Sequence, residues 1–352
     1  MNAATAMKPR HVPDIHPPLR PAPRVPTRLR DRAWWPWLTR GALVLFGAFV
    51  LGLLLWQAMR VDWPAVFAAM AATPVRVLLA AGAVALAGHL LYSTFDLLGR
   101  HYTGHHLAPQ ATMLVTFISY AFNLNFGAIV GSAAMRLRLY ARLGLRTPVI
   151  LRVMGLSMWT NWFGYLALAG AAFVTLSLPL PVDWHVSAAA LRATGGVLLA
   201  LALAWLVACA TVRPGRIWRI GRQRQHEVWL PTPRLALLQL AVGAANWLLI
   251  AGVIWVLLQG RVAFPVVAGV FLVGVVVGIV TRVPAGLGVQ EAVFVALLSP
   301  RVPEADMLAA MLTYRALYYW APLLLAGLAY AGLEATVPPR GSGRHQPHQR
   351  DL

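Results

Sequence analysis

The sequence predicts an all-α polytopic membrane protein: six full spans plus two re-entrant broken-helix hairpins, arranged as an inverted repeat. Three observations predict it. Hydrophobic residues make up 59% of the chain and charged residues only 12%, whereas soluble domains approach a quarter charged; mean hydropathy is +0.65. Apolar runs fill nearly everything from Leu38 to Leu333, so one membrane domain explains the length better than two soluble ones. The net charge of +19 sits in short loops between those runs. That is the positive-inside pattern, so no nucleic-acid partner is expected.

Residues 1–38 carry seven basic residues (Lys8, Arg10, Arg20, Arg24, Arg28, Arg30 and Arg32) against Asp14 and Asp31, and are interrupted by prolines. They hold too few apolar residues to fold alone and read as a disordered basic cytoplasmic arm, without the cleavage site of a signal peptide. Trp34, Trp35 and Trp37 mark a membrane interface. The membrane domain runs over 39–334. Its full spans are expected at 39–57, 75–95, 149–176, 193–212, 235–258 and 306–333, each long enough for a core of about 30 Å. A cytoplasmic tail, 335–352, follows. Two more apolar segments, 111–131 and 264–299, are interrupted: the first by Asn123, Asn125, Gly127 and Gly131, the second by Arg282, Pro284, Gly286, Gly288 and Glu291.

Loop charges decide how those two segments run. Linker 132–148 carries Arg136, Arg138, Arg142 and Arg146 with no acid, and loop 213–234 carries six arginines against Glu227. Both should be cytoplasmic, as should both termini. Linker 96–110 follows two spans from the N-terminus and lies on the same side. Segment 111–131 must then enter from the cytoplasm and return, and 264–299 must do so from outside. Each half, about 39–176 and 193–333, reads span, span, hairpin, span, with opposite orientation, an arrangement that many transporters use to build a midplane site. If all eight segments cross instead, the repeats become parallel and linker 132–148 falls outside, against its charge.

The breaks are where chemistry is expected. An arginine, a proline, two glycines and a glutamate at membrane depth cost several kcal/mol unless protein or trapped water surrounds them. A helix restarting after Gly288 aims its free N–H groups and dipole at the tip, favouring an anion. Arg282 lies on that tip. Gly127 and Gly131 likewise precede a helix with Arg136 and Arg138, and Asn123 and Asn125 are neutral donors. Together Asn123, Asn125, Gly127, Gly131, Arg136, Arg282, Gly286 and Gly288 would form a site for phosphate or carboxylate, which an arginine fork binds at two points. Arg315 in the last span needs a partner, and Glu291 is the natural one; the pair either sets register only or couples to protons or ligand. Asp96 and His89 are placed at the cytoplasmic interface. His101, His105 and His106 read as a solvated loop, not a metal site. Asn161, Trp162, Asn246 and Trp247 are candidate cavity lining. Cys209 is the single cysteine, so no intrachain disulfide forms. No nucleophile–base arrangement, nucleotide loop or zinc spacing is present, so neither an enzyme nor a cofactor is expected.

The runs Tyr120–Gly127, Gly131 and Met135–Leu145, then Val283–Glu291, then Tyr314-Arg315 through Pro322 resemble three signatures of the YbhN-type bacterial inner-membrane proteins. These share a transmembrane region with aminoacyl-phosphatidylglycerol synthases, whose membrane half is regarded as a lipid flippase. The resemblance spans roughly 40–335. It implies a bacterial inner-membrane location and handling of an anionic phospholipid between leaflets. Where many relatives have Pro-Gly and an acid near the first break, Phe126-Gly127 and Ser132 stand here, which puts a second buried acid in the first repeat in doubt. No aminoacyl-transfer domain follows Leu333, so lysyl transfer is not expected. The alternatives are a secondary transporter of a small organic anion with Glu291 as proton carrier, and a non-transporting partner of a lipid-synthesis enzyme.

Overall fold

A computed structural model describes residues 62–178, 180, 187–211, 217–220, 226–281, 283, 286 and 288–336. The basic arm, the expected span 39–57, Arg282 and most of the C-terminal tail lie outside the described residues.

A short helix, α1 (Trp63–Ala71), starts where the Asp62 carboxylate accepts from the Ala65 N–H at 3.1 Å. The next helix, α2 (Val75–Ser93), continues after a kink at Thr94 into α3 (Phe95–Thr103), which Gly104 ends in the left-handed conformation. Prolines open α4 (Pro109–Gly127) and α6 (Thr147–Thr175), where a missing N–H costs nothing. Between them lie a π-helical turn, Ala128–Ala133, and α5 (Ala134–Arg142). The chain goes on through α7 (Ala188–Thr211) and α8 (Pro233–Leu257) to α9 (Phe264–Thr281) and α10 (Val289–Leu298). Last come α11 (Glu304–Arg315), a second π-helical turn (Ala316–Trp320) and α12 (Ala321–Thr336). The one departure from an all-α chain among the described residues is an antiparallel ribbon, β1 (Ile217–Ile220) with β2 (His226–Trp229), in the arginine-rich loop.

Among the described residues, five helical stretches are long and apolar enough to cross a membrane: Val75–Thr103, Ala188–Thr211, Pro233–Leu257, Phe264–Thr281 and Glu304–Ala335. Helix α6 is long as well, at 29 residues, but Thr160, Asn161 and several aromatics dilute its apolar run. The surface fits lipid contact: Leu79, Leu86, Val197, Leu203, Leu324 and Leu328 are all more than half exposed. Asp96, Arg136, Gln239 and Asn246 are buried instead, the reverse of a soluble protein. Helix α6 packs on α7 and α8, and α2 on α8. At Gly164 and Gly243 the backbones of α6 and α8 come so close that a methyl group on either would overlap the other.

Both interrupted segments fold back on themselves. The break in the first lies at Gly127, whose φ of 80° and ψ of 173° suit glycine alone; Asn123 and Asn125, where interruption was expected, are still helical. The return arm is the π-helical turn plus α5, so part of the linker expected over 132–148 is helix. Gly131 rests against the backbone of Phe122 and Asn123. Ala111, near the start of the hairpin, and Leu143, just past its end, line one crevice, so the two ends lie side by side. In the second hairpin α10 runs back along α9: Gln290 lies against Gly274 and donates to the Phe271 carbonyl at 3.5 Å. Residues 96–103, expected in a loop, form α3 and bury Asp96 completely.

Candidate functional site

Between the hairpins lies a cavity of about 300 Å³. Hairpin one contributes Asn123 and Leu124. Hairpin two contributes Phe271, Gly274, Val275, Gly278, Ile279, Gly286 and Gln290. Helix α6 adds Asn161 and Trp162, α8 adds Trp247 and Ile250, and Tyr92, Tyr120, Tyr314, Tyr318 and Tyr319 complete the wall. The structure thus brings Asn123 and Gly286, expected on opposed tips, to one space.

Arg315 fastens the second tip. Its Nε and one terminal nitrogen donate to the two oxygens of Glu291, the latter at 3.1 Å, and that nitrogen also donates to the Gly286 carbonyl at 3.0 Å. Its carbon centre lies 5.4 Å from the Tyr319 ring. Glu291 stands in the first turn of α10, where the helix dipole favours a negative charge. Gly288 caps that helix at φ 75° and Gly286 turns at φ 59°, so these glycines serve the turn as well as any ligand.

Arg136 corrects an expectation. It does not face an anion site, because Asp96 holds it: Nε to Oδ2 at 2.9 Å and a terminal nitrogen to Oδ1 at 3.2 Å. Ser132 accepts from its other terminal nitrogen, and the Tyr140 hydroxyl donates to Asp96 at 2.8 Å. Arginine and aspartate are 2% and 0% exposed, a depth at which neither charge stands alone. Asp96 is accordingly not at an interface. Arg138 is exposed and pairs with Glu334 of α12 at 2.8 Å.

Asn125 is also committed elsewhere. Its amide donates to the carbonyls of Ala121 and Tyr319, at 2.9 and 3.2 Å. It shares this task with His89, whose Nε2 is 3.0 Å from the Tyr318 carbonyl. In an unbroken α-helix that carbonyl would accept from residue 322, but Pro322 has no N–H. A carbonyl can only accept, so Nε2 carries the proton and Nδ1 is left without a partner. His89 is therefore buried, not interfacial. The Tyr120 and Tyr318 hydroxyls meet at 3.1 Å, and Tyr92 stacks on Tyr120 at 3.5 Å.

Gly127 and Gly131 shape the first hairpin and do not line the cavity. His105, expected in a solvated loop, is buried with its ring 6.4 Å from Tyr140. Burial, with Arg100 second, pushes its imidazole below its usual value. Asn161, Trp162 and Trp247 line the cavity as expected, whereas Asn246 is buried beside it with both amide atoms unpartnered. The reading of the sequence missed Asp96 as the partner of Arg136, and Gln290 and the tyrosines as lining. An aspartate directly after an expected apolar span was the available signal.

Apolar rims, buried charges and two folded-back helices closing on one cavity define a multi-pass helical membrane protein. The chain belongs to the family described as the lysylphosphatidylglycerol synthase TM region, which matches residues 41–326. It is 40% identical over 292 residues to the inner membrane protein YbhN of Escherichia coli (strain K12), covering 83% of this chain and 91% of that protein. To an uncharacterized Synechocystis protein, slr0712, it is 31% identical over 276 residues, 77% of this chain and 84% of the other. A phosphatidylglycerol lysyltransferase of Staphylococcus haemolyticus is 35% identical over 89 residues, 24% of this chain and 11% of that protein.

Proposed function

We propose that the chain binds an anionic phospholipid in the central cavity and carries it between leaflets, as a flippase does, without chemistry of its own. In this reading it sits in a bacterial inner membrane with both termini cytoplasmic. The halves 39–176 and 193–333 are inverted repeats, and the hairpins enter from opposite faces. The observation that carries it is the meeting of Asn123 and Gly286, one from each hairpin, at a single cavity, as in proteins that alternate access around a midplane site. Membership of a family named for a lipid synthase's membrane region supports the lipid as cargo.

With Arg136 held by Asp96 and Arg315 by Glu291, the anion falls to Arg282 and the first N–H groups of α10. The test is lipid movement in proteoliposomes. A tail-labelled anionic phospholipid should cross faster with protein than without. Arg282→Ala should slow it about tenfold, the loss of ~1.4 kcal/mol from one charge-assisted contact. An unchanged crossing rate on adding protein sinks the proposal.

A further inference from the structure

The short connection between α3 and α4 buries a histidine without satisfying it. Gly104 ends α3 in the left-handed conformation, and the next residue, His105, turns inward. It is 9% exposed, while His101 and His106 are both exposed. Arg100 holds the turn shut, its Nε donating to the Leu107 carbonyl at 2.7 Å. Neither ring nitrogen of His105 has a hydrogen-bond partner among the described residues.

A neutral imidazole carries one donor and one acceptor, and both are left unmatched here. Protonated, the ring would carry two donors with nothing placed to accept them, and a buried charge costs far more than a buried dipole. Its charged neighbours do not offset that cost. On α3, Arg100 repels an imidazolium and Asp96 attracts it, but both Asp96 oxygens are already taken by Arg136 and Tyr140. In the loop itself His106 adds repulsion when protonated. On α5 the Tyr140 ring lies 6.4 Å away with its hydroxyl turned to Asp96. Helix α4 has no ionisable side chain before Tyr120, and α6 adds one more cation, Arg152, near Tyr102. Burial first and Arg100 second thus hold the His105 imidazole below its ordinary value of 6.5.

We infer that His105 is a pH-operated latch on the first hairpin. Neutral, it seals the α3–α4 turn over the Asp96–Arg136 pair; protonated, it leaves its place and lets the turn open. The turn joins α3, which carries Asp96, to the entering arm of the hairpin, while the return arm carries Arg136 and Tyr140. Opening it admits water to the pair that ties these arms together. The direction follows from proton binding. The open turn has a solvated imidazole of ordinary pKa, and the closed turn binds the proton more weakly. Closure is therefore favoured above about pH 6.5 and loses ground as the pH falls below it.

The latch does not depend on what the cavity carries, so its test is hydrogen exchange of the full-length protein in detergent. Protection is compared after correction for the intrinsic pH dependence of exchange. From about pH 7.5 to about pH 5.5 the opening equilibrium of residues 104–116 and 134–142 should rise severalfold, up to about tenfold. That ceiling is the ratio set by a group that titrates at 6.5 only when open. Residues 233–257, in α8, should keep their protection. A change below about twofold in the first two segments of the wild-type protein overturns the inference without recourse to any variant. His105→Gln should abolish the pH response and His106→Gln should retain it. A response that survives His105→Gln assigns the proton to another group, such as His89 of α2, and overturns the latch, as does a response lost in His106→Gln.

Discussion

The guanidinium of Arg136 meets the carboxylate of Asp96 at two points, 2.9 and 3.2 Å, and this pair ties the return arm of the first hairpin to α3. Neither side chain touches water to any useful extent. Removing one partner leaves a buried charge uncompensated, at about 3–5 kcal/mol. Asp96→Ala or Arg136→Ala should therefore lower the melting temperature sharply in detergent. Asp96→Leu combined with Arg136→Met should recover most of the loss. If the double variant is no better than the singles, the pair is not what holds the arm.

Gly127 sits in a backbone region that other residues occupy at roughly 1–3 kcal/mol. Nothing crowds its Cβ position, so Gly127→Ala tests backbone strain alone. The variant should lose stability of that order, with faster amide exchange confined to residues near 123–134. An exchange pattern identical to wild type would count against the observed turn.

If the hairpins enter and leave by the same face, Ala108 and Thr147 share one side of the membrane. With Cys209 replaced, single cysteines at those positions should react with an impermeant maleimide from the same side. Opposite accessibility would refute re-entry, and with it the inverted repeat.

Glu291→Gln leaves Arg315 with the Gly286 carbonyl and a neutral amide. If the pair only fixes the second tip, the variant should be less stable while lipid movement, scaled to folded protein, keeps its pH profile. Loss of a proton-driven uptake of a small organic anion in the same variant would instead favour the transporter reading.

Much of the fold was legible because apolar runs announce helices by length and composition. The expected spans 149–176 and 235–258 differ from α6 and α8 by two residues or fewer. Loop charge suggested that two segments, 111–131 and 264–299, turn back, since arginines resist crossing, and in the structure the first helix of each, α4 and α9, is followed by a helix packed back on it. The site was legible in part. Glu291 and Arg315 could be paired because each needed a partner and few others stood at that depth. Arg136 was misassigned because its partner lies 40 residues away, and sequence spacing says nothing about which helices touch. Asn125 reads as a ligand donor in any apolar run; its partner, the Tyr319 carbonyl, lies 194 residues away, where no spacing rule reaches.

That carbonyl has a mechanical meaning. At Tyr318 and Tyr319 the last span is tied by two side chains from other helices, His89 of α2 and Asn125 of α4. Bending α12 against α11 at this point works against those two contacts. It breaks two hydrogen bonds, each worth about 0.5–1.5 kcal/mol net. The same two bonds make the bend answer to its neighbours: a shift of the first hairpin pulls on Tyr319 through Asn125. Four residues earlier on that span, Arg315 grips the second hairpin. The last span is thus a lever that both hairpins hold ahead of Pro322, one at Arg315 and the other at Tyr319.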